Sequence, residues 1–180
     1  MPEYRRAYFK GGTFFFTVVT YKRRLIFQEE PAIDLLRQCL LTTAASHPFR
    51  VEAIVILPDH LHTIWTLPQN DSDYSTRWQR IKATFSRHYY SLGVGDVSES
   101  MRSKGEQGVW QRRFWEHMIR DQDDFNRHCD YVHYNPVKHG LVNSPVAWKH
   151  STFLPFVDKG LYDANWGRSS PIELVGMYLE

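Results

Sequence analysis

The chain has 180 residues, of which 42% are hydrophobic and 15% aromatic, and its formal net charge is +2. This length and hydrophobic content exclude an intrinsically disordered chain, and they allow one domain whose core needs no disulfide or metal to hold it together. The net charge is too small to indicate or to exclude a nucleic-acid partner, so the local distribution of basic residues has to decide.

The compartment is indicated by what the sequence lacks. Cys39 and Cys129 are far apart and do not have the spacing of a metal finger, which favours reduced, buried thiols. The sequence shows no signal-like segment and no apolar run long enough to span a bilayer. We therefore expect a soluble, cytoplasmic protein without a membrane partner.

The first half of the chain predicts three strands and one helix. A strand at 13–21 follows the breaker Gly11-Gly12, and a helix at 31–46 begins with a proline suited to its first turn. Two apolar strands follow at 50–57 and 60–67, separated only by Pro58-Asp59.

The second half predicts two more helices and one more strand. We expect a helix at 74–90, a loop at 93–108, a strand at 109–118 and a helix from Asp121 to Asn135, where Pro136 disfavours helical angles. The order β-α-β-β-α-β-α predicts an α+β fold, a ferredoxin-like split βαβ sandwich with an antiparallel sheet and helices on one face. We expect residues 1–180 to form one domain with a C-terminal extension from about residue 141.

Two histidines, His60 and His62, stand one residue apart at the start of a predicted strand. Side chains at positions i and i+2 of a strand point to the same face, so both imidazoles could hold one divalent ion. An isolated pair of this kind is more often a polar strand end that is satisfied by hydrogen bonds.

The last predicted helix carries a polar stripe and an apolar stripe. Asp124, His128, Tyr131 and Asn135 share one face, whereas Phe125, Cys129 and Val132 form the other stripe. The polar stripe could be the wall of a site or an ordinary solvated helix face.

Together these groups suggest attack of a tyrosine on a phosphodiester. A phenol has an unperturbed pKa of about 10, so it needs help to act as a nucleophile near neutral pH. A divalent ion on His60 and His62 would polarise the phosphate, and Asn135 could be a third, neutral ligand.

Basic residues occur in clusters that could contact DNA phosphates while neighbouring rings stack on unpaired bases. Each cluster could equally be a charged, solubilising surface. The candidates for DNA contact are Arg5, Arg6, Lys22, Arg23, Arg24, Arg77, Arg80, Arg87, Arg112 and Arg113.

The chain resembles the REP-associated tyrosine transposases, a single-tyrosine branch of the HUH nuclease superfamily. The resemblance runs over nearly the whole chain, and the order of its motifs makes it specific. These motifs include Lys10-Gly11-Gly12-Thr13, Leu57-Pro58-Asp59-His60-Leu61-His62, Arg113-Phe114-Trp115-Glu116-His117, Asp130-Tyr131, Asn135-Pro136-Val137-Lys138-His139-Gly140 and Ser151-Thr152-Phe153.

The resemblance implies a role for each site residue. His60 and His62 match the HUH motif that binds Mg²⁺ or Mn²⁺, and Asn135 matches the third metal ligand. Tyr131, rather than the nearby Tyr134, matches the nucleophile that forms a 5′-phosphotyrosine link and frees a 3′-hydroxyl. The implied substrate is single-stranded DNA folded into the imperfect hairpins of repetitive extragenic palindromes (REP). The implied protein is a bacterial monomer that associates with the nucleoid when bound to DNA.

Two other functions compete with this one. A zinc hydrolase could use His60, His62 and a third histidine, His128 or His133, to hold an activated water. A DNA-binding protein could keep the fold without any chemistry. The presence of both histidines, Tyr131 and Asn135 argues against the second alternative.

Overall fold

The computed structural model describes residues 9–92 and 108–168 of the chain. The predicted DNA contacts Arg5 and Arg6, and residues 93–107 of the predicted loop, lie outside these ranges. The elements are strands β1 (Thr13–Val19), β2 (Arg50–Leu57), β3 (His60–Thr66) and β4 (Trp115–Met118), and helices α1 (Glu30–Ser46), α2 (Tyr74–Tyr89), α3 (Gln122–Lys138) and α4 (Phe153–Asp158).

The four strands form one sheet in the order β2-β3-β1-β4, and every neighbouring pair is antiparallel. Strand β3 therefore lies between β1 and β2, which α1 connects, and β1 lies between β3 and β4, which α2 connects. This interleaving of two βαβ units is the predicted split βαβ arrangement, so the predicted fold class is confirmed.

The sheet is apolar on both faces, because alternate residues of β1 point into different cores. Phe14, Phe16 and Val18 pack with α1 and α2 in the larger core. Phe15 points the other way, into a second core that includes Cys129 and Val132 of α3. Helices α1 and α2 share one face as predicted, but α3 covers the opposite face, where an uncovered apolar surface would otherwise meet water.

Two predicted strands are shorter in the structure. The predicted strand at 109–118 is regular only from Trp115, although Trp110 forms an isolated bridge with Thr20. Strand β1 ends at Val19 rather than at 21, because the chain turns into a short 3₁₀ helix in which Lys22 and Arg23 have positive φ angles.

Helix α3 continues beyond Asn135, so its predicted end was wrong. Pro136 lies inside the helix, and the helix ends only at Lys138. Gly140 has a φ of +67° and donates to Val137, while Leu141 donates to Pro136. This pattern satisfies carbonyl groups of the last helical turn, although Pro136 itself has no N–H to donate to the turn before it.

The C-terminal segment, residues 141–168, packs on α3 and along the edge strand β2. Four of its aromatic side chains form a cluster that also contacts His133: Phe153, Phe156, Tyr162 and Trp166. Thr152 donates to Ile54 of β2 and also bonds His133 of α3. The segment therefore links α3 to β2. Within the two described ranges, no helix is both long and apolar enough to cross a bilayer.

Candidate active site

His60 and His62 lie on the face of the sheet that α3 covers. Both side chains are buried, and their ring centroids are 4.9 Å apart. Strand geometry explains this, since β3 begins at His60 and places the side chains of these two residues on one face. The apolar Leu61 between them points into the opposite core.

Each imidazole is held through its Nδ1 atom. His60 Nδ1 lies 2.6 Å from Asp59 Oδ1, and His62 Nδ1 lies 2.9 Å from Thr17 Oγ1. Burial opposes ionisation of Asp59, but hydrogen bonds and charge from His60 and Arg23 outweigh it, so the pKa of Asp59 lies below its usual value. The carboxylate therefore accepts the Nδ1 proton of His60. Metal-binding histidines commonly have such a partner on the nitrogen opposite the metal.

Tyr131 of α3 lies directly against this pair. The ring centroids of Tyr131 and His62 are 5.1 Å apart, and the phenol ring is fully buried. Lys138, two helical turns later, approaches the Tyr131 oxygen at 3.3 Å with its ammonium group. Only because α3 continues past Pro136 does Lys138 share this helical face, and its positive charge would stabilise a phenoxide.

Asn135 supplies a buried amide one turn beyond Tyr131. Its side chain is fully buried, and neither Oδ1 nor Nδ2 has a hydrogen-bond partner within the described residues. A buried amide without partners is costly, so it needs a group that the protein atoms around it do not supply. A divalent ion bound by the amide oxygen would be such a group, and Asn135 with His60 and His62 has the donor chemistry of a neutral metal site.

Tyr134 and the histidines of the zinc alternative lie elsewhere. Tyr134 contacts Trp166 of the C-terminal segment. His133 packs against Phe156, and burial lowers its pKa to about 3. His128 packs against His117. Within the described part of the chain, neither histidine completes a three-histidine site with His60 and His62.

A second group of potential metal ligands surrounds the start of α3. Atoms of His117, Asp124 and His128 lie within 4.8 Å of one another and could hold a metal ion. Asp124 Oδ2 already accepts from His117 Nε2 at 2.9 Å and from Arg120 Nε at 3.1 Å. Burial opposes ionisation of Asp124, but these donors outweigh it and hold its pKa well below the usual value. The ligand atoms thus already form a hydrogen-bonded network.

The predicted DNA contacts fall into different environments. Lys22 and Arg23 are exposed next to the histidines, where Arg23 pairs with Asp59 at 3.1 Å, and Arg24 donates to Gly108. Arg112 and Arg113 are exposed just before β4, and Arg80 and Arg87 are exposed on α2, across the sheet from Tyr131.

Arg77 does not fit a phosphate contact. It is only 2% exposed, and its guanidinium binds Asp71 and the carbonyl groups of His47, Pro48 and Asp73. We therefore remove Arg77 from the proposed DNA contacts. Helical periodicity placed it with Arg80 and Arg87 but could not show that a turn before α2 covers it.

Sequence reasoning also missed residues that line the site. His139 lies beside His60 with ring centroids 5.2 Å apart, and Lys138 lies beside Tyr131. Both belong to the motif Asn135 to Gly140, so the motif was visible although the roles of its last residues were not. Nothing in the local sequence around Thr17 pointed to its bond with His62, because the partner is on another strand.

Comparisons with known proteins agree with this geometry. No family model matches the chain. A REP-associated tyrosine transposase of Escherichia coli strain K12 is 42% identical over 166 residues, which cover 92% of this chain and 91% of that protein. A relative from Haemophilus influenzae that is assigned to the same family is 38% identical over 176 residues, 98% of this chain and 99% of its own.

A solved structure of a REP-associated tyrosine transposase bound to a REP hairpin has the same fold. It superposes with a TM-score of 0.76 at 42% identity and covers 92% of this chain and 91% of that one. The similarity in sequence and in fold extends over almost the full length of both proteins. The chain belongs to the REP-associated tyrosine transposases.

Proposed function

We propose that this enzyme binds REP-type hairpins of single-stranded DNA and cleaves the strand by attack of Tyr131 on a phosphodiester. The observation that carries the proposal is the contact between the Tyr131 ring and His62, with the buried amide of Asn135 one helical turn away. The comparison structure supports the substrate class, because that relative was solved with a REP hairpin.

The chain's own residues supply most of the chemistry. Lys138 stabilises the Tyr131 phenoxide, whose oxygen bonds to phosphorus as the bond to the 3′-oxygen breaks. The products are a 5′-phosphotyrosine and a 3′-hydroxyl, and the proton that the phenol loses balances the one that the 3′-oxygen gains. Mg²⁺ or Mn²⁺ held by His60, His62 and Asn135 would polarise the scissile phosphate.

Tyr131 packs against His62 of its own chain, which supports a tyrosine that acts in its own site, and we propose that the protein works as a monomer. We propose that the chain functions as one domain with an extension from about residue 141. We also propose that it works in the bacterial cytoplasm, on the DNA of the nucleoid.

The test compares the wild type with Tyr131→Phe and Tyr134→Phe on a labelled single-stranded hairpin with Mn²⁺ or Mg²⁺. We expect Tyr131→Phe to lose cleavage and the covalent adduct on a denaturing gel while it still binds the hairpin. Tyr134→Phe, the matched control on the same helix, should keep both activities.

A chelator separates the proposed chemistry from its alternatives. We expect EDTA to stop cleavage by the wild type and added Mn²⁺ to restore it. A covalent adduct that still forms with Tyr131→Phe, or cleavage that continues in EDTA, would contradict the mechanism. Hairpin binding without cleavage in either metal would favour a DNA-binding protein without chemistry.

A further inference from the structure

Strand β4 places an aromatic residue in line with a histidine of the active site. Thr17 of β1 lies opposite His62 on one side and opposite Trp115 on the other. Residues that are directly opposite each other in antiparallel strands point to the same face. Neighbouring strands lie about 4.8 Å apart, so Trp115 is about 10 Å from His62, across the face that carries Tyr131. The ring of Phe15 bridges the gap, since its centroid is 5.9 Å from both Trp115 and Tyr131.

Trp115 is accessible although it belongs to the sheet. Strand β4 is an edge strand, and 36% of the Trp115 surface is exposed. The preceding residue, Phe114, points to the other face and packs against Phe16 and Trp78. An indole ring at a sheet edge beside a catalytic site is available to a ligand with a flat face.

The orientation of the indole is fixed by the residues behind it. The Trp115 ring is parallel to His117 within 4°, with centroids 6.0 Å apart, and His117 is parallel to His128 within 13° at 4.6 Å. His117 bonds Asp124 through Nε2, so its own ring plane is held. The three rings form a stack that ends in the exposed indole, and a further flat ring could extend it.

Positive groups surround this stack. Arg120 and Arg127 pair with Asp124, the same carboxylate that holds His117, and their side chains remain 63% and 61% exposed. Arg112 and Arg113, also exposed, precede β4 directly. An exposed aromatic face bordered by guanidinium groups fits a nucleotide, whose base stacks while its phosphate meets a cation.

We propose that Trp115, backed by His117, is a stacking site for an unpaired nucleotide close to the scissile phosphate. The inference rests on the proposed function, since it names where that reaction holds its single strand. A base inside a stem is covered on both faces by its neighbours, whereas an unpaired base can offer a face, so the site favours the single-stranded flank of a hairpin over the interior of its stem. Stacking tolerates any base, which makes Trp115 a positioning residue and not a reader of sequence.

The test measures binding of two hairpins, one with a short single-stranded flank and one without, by fluorescence anisotropy. We expect Trp115→Ala to weaken binding of the flanked hairpin about tenfold or more and to leave the hairpin without a flank almost unchanged. Trp115→Phe, which keeps a ring, should retain most of the affinity, whereas Trp115→Leu should not. Leu41→Ala is the matched control, because Leu41 is 72% exposed on α1, on the other face of the sheet.

Abasic substitutions in the flank identify the stacked position. Removal of the base at that position should weaken binding by the wild type as much as Trp115→Ala weakens binding of the intact flank. The abasic DNA and Trp115→Ala together should lower the affinity no more than either change alone. Bromodeoxyuridine at that position should crosslink to the Trp115 peptide. This experiment uses the wild-type protein, so it does not depend on the folding of a variant.

Failure of the inference is distinct from failure of the proposed function. A wild type that binds neither hairpin contradicts both. A wild type that binds and cleaves, with Trp115→Ala and Trp115→Leu binding both hairpins as tightly as the wild type does, overturns only the stacking site. Equal loss on both hairpins also overturns it, because the flank is then not what Trp115 contacts.

Discussion

Replacement of Asn135 by leucine should stabilise the metal-free protein. The side chain is fully buried, and neither of its polar atoms has a partner among the described residues. An unsatisfied buried polar group costs about 1–3 kcal/mol, and leucine has nearly the same shape without that cost. For a chain of this size, such a gain raises the melting temperature by roughly 2–12 °C.

Metal should remove the stability advantage of Asn135→Leu over the wild type, or reverse it where that advantage is below about 2.7 kcal/mol. If Asn135 is a ligand, Mn²⁺ at about 100 times its dissociation constant stabilises the wild type by about 2.7 kcal/mol. Asn135→Leu should gain much less, because it keeps only the two histidines. The assay is thermal unfolding of both proteins in EDTA and across a Mn²⁺ titration.

Asn126→Leu is the control, because Asn126 is exposed on the same helix and accepts only from Gln122 in the described structure. Its stability should change by less than about 0.5 kcal/mol in EDTA, and its response to Mn²⁺ should match that of the wild type. The reasoning is refuted if Asn135→Leu is less stable than the wild type in EDTA and equal to it in its response to Mn²⁺.

Three further predictions concern residues outside the chemistry. Arg77→Gln should lower the free energy of unfolding by about 2–4 kcal/mol in urea titrations, because it leaves buried carbonyl groups and Asp71 unpaired. Arg80→Gln and Arg87→Gln, by contrast, should leave stability unchanged and each reduce the salt dependence of DNA binding by about one unit if they contact phosphates. Burial lowers the pKa of His133 from 6.5 to about 3, so between these pH values His133 is neutral in the native state and protonated in the unfolded chain. Stability should therefore fall by about 1.4 kcal/mol per pH unit below about pH 6.5, and His133→Leu should reduce this slope; an unchanged slope would assign the acid sensitivity to other groups.

The sequence predicted the elements that depend on local pattern. Strand β2 and the start of α2 lie where the apolar run and the helical spacing placed them, and the split βαβ order followed from the succession of elements. Helical spacing in the sequence also placed Tyr131 and Asn135 on one face of α3. These features depend on residues close to one another in the chain, which is where periodicity carries information.

Other features depend on contacts between distant residues. The polar stripe of α3 could have been a solvated face, yet Asp124, His128, Tyr131 and Asn135 are all buried against the sheet. Sequence spacing cannot show which helix face meets the sheet when both faces have a regular pattern. Arg77 illustrates the converse, because a cation on a helix is usually exposed and this one is covered by the turn at Asp71.

The C-terminal segment holds α3, and with it the proposed nucleophile Tyr131, in place without contributing a group to the proposed reaction. Tyr162 donates to Asp130 at 2.5 Å, and Thr152 joins His133 to the backbone of Ile54, so α3 is braced on both sides of Tyr131. A displacement of about 1 Å between reacting groups can cost about a hundredfold in rate. Relatives that retain both histidines, the tyrosine and the asparagine but have lost this brace should therefore cut DNA slowly. If the proposed roles hold, these four residues would be necessary for activity in the family but not sufficient for it.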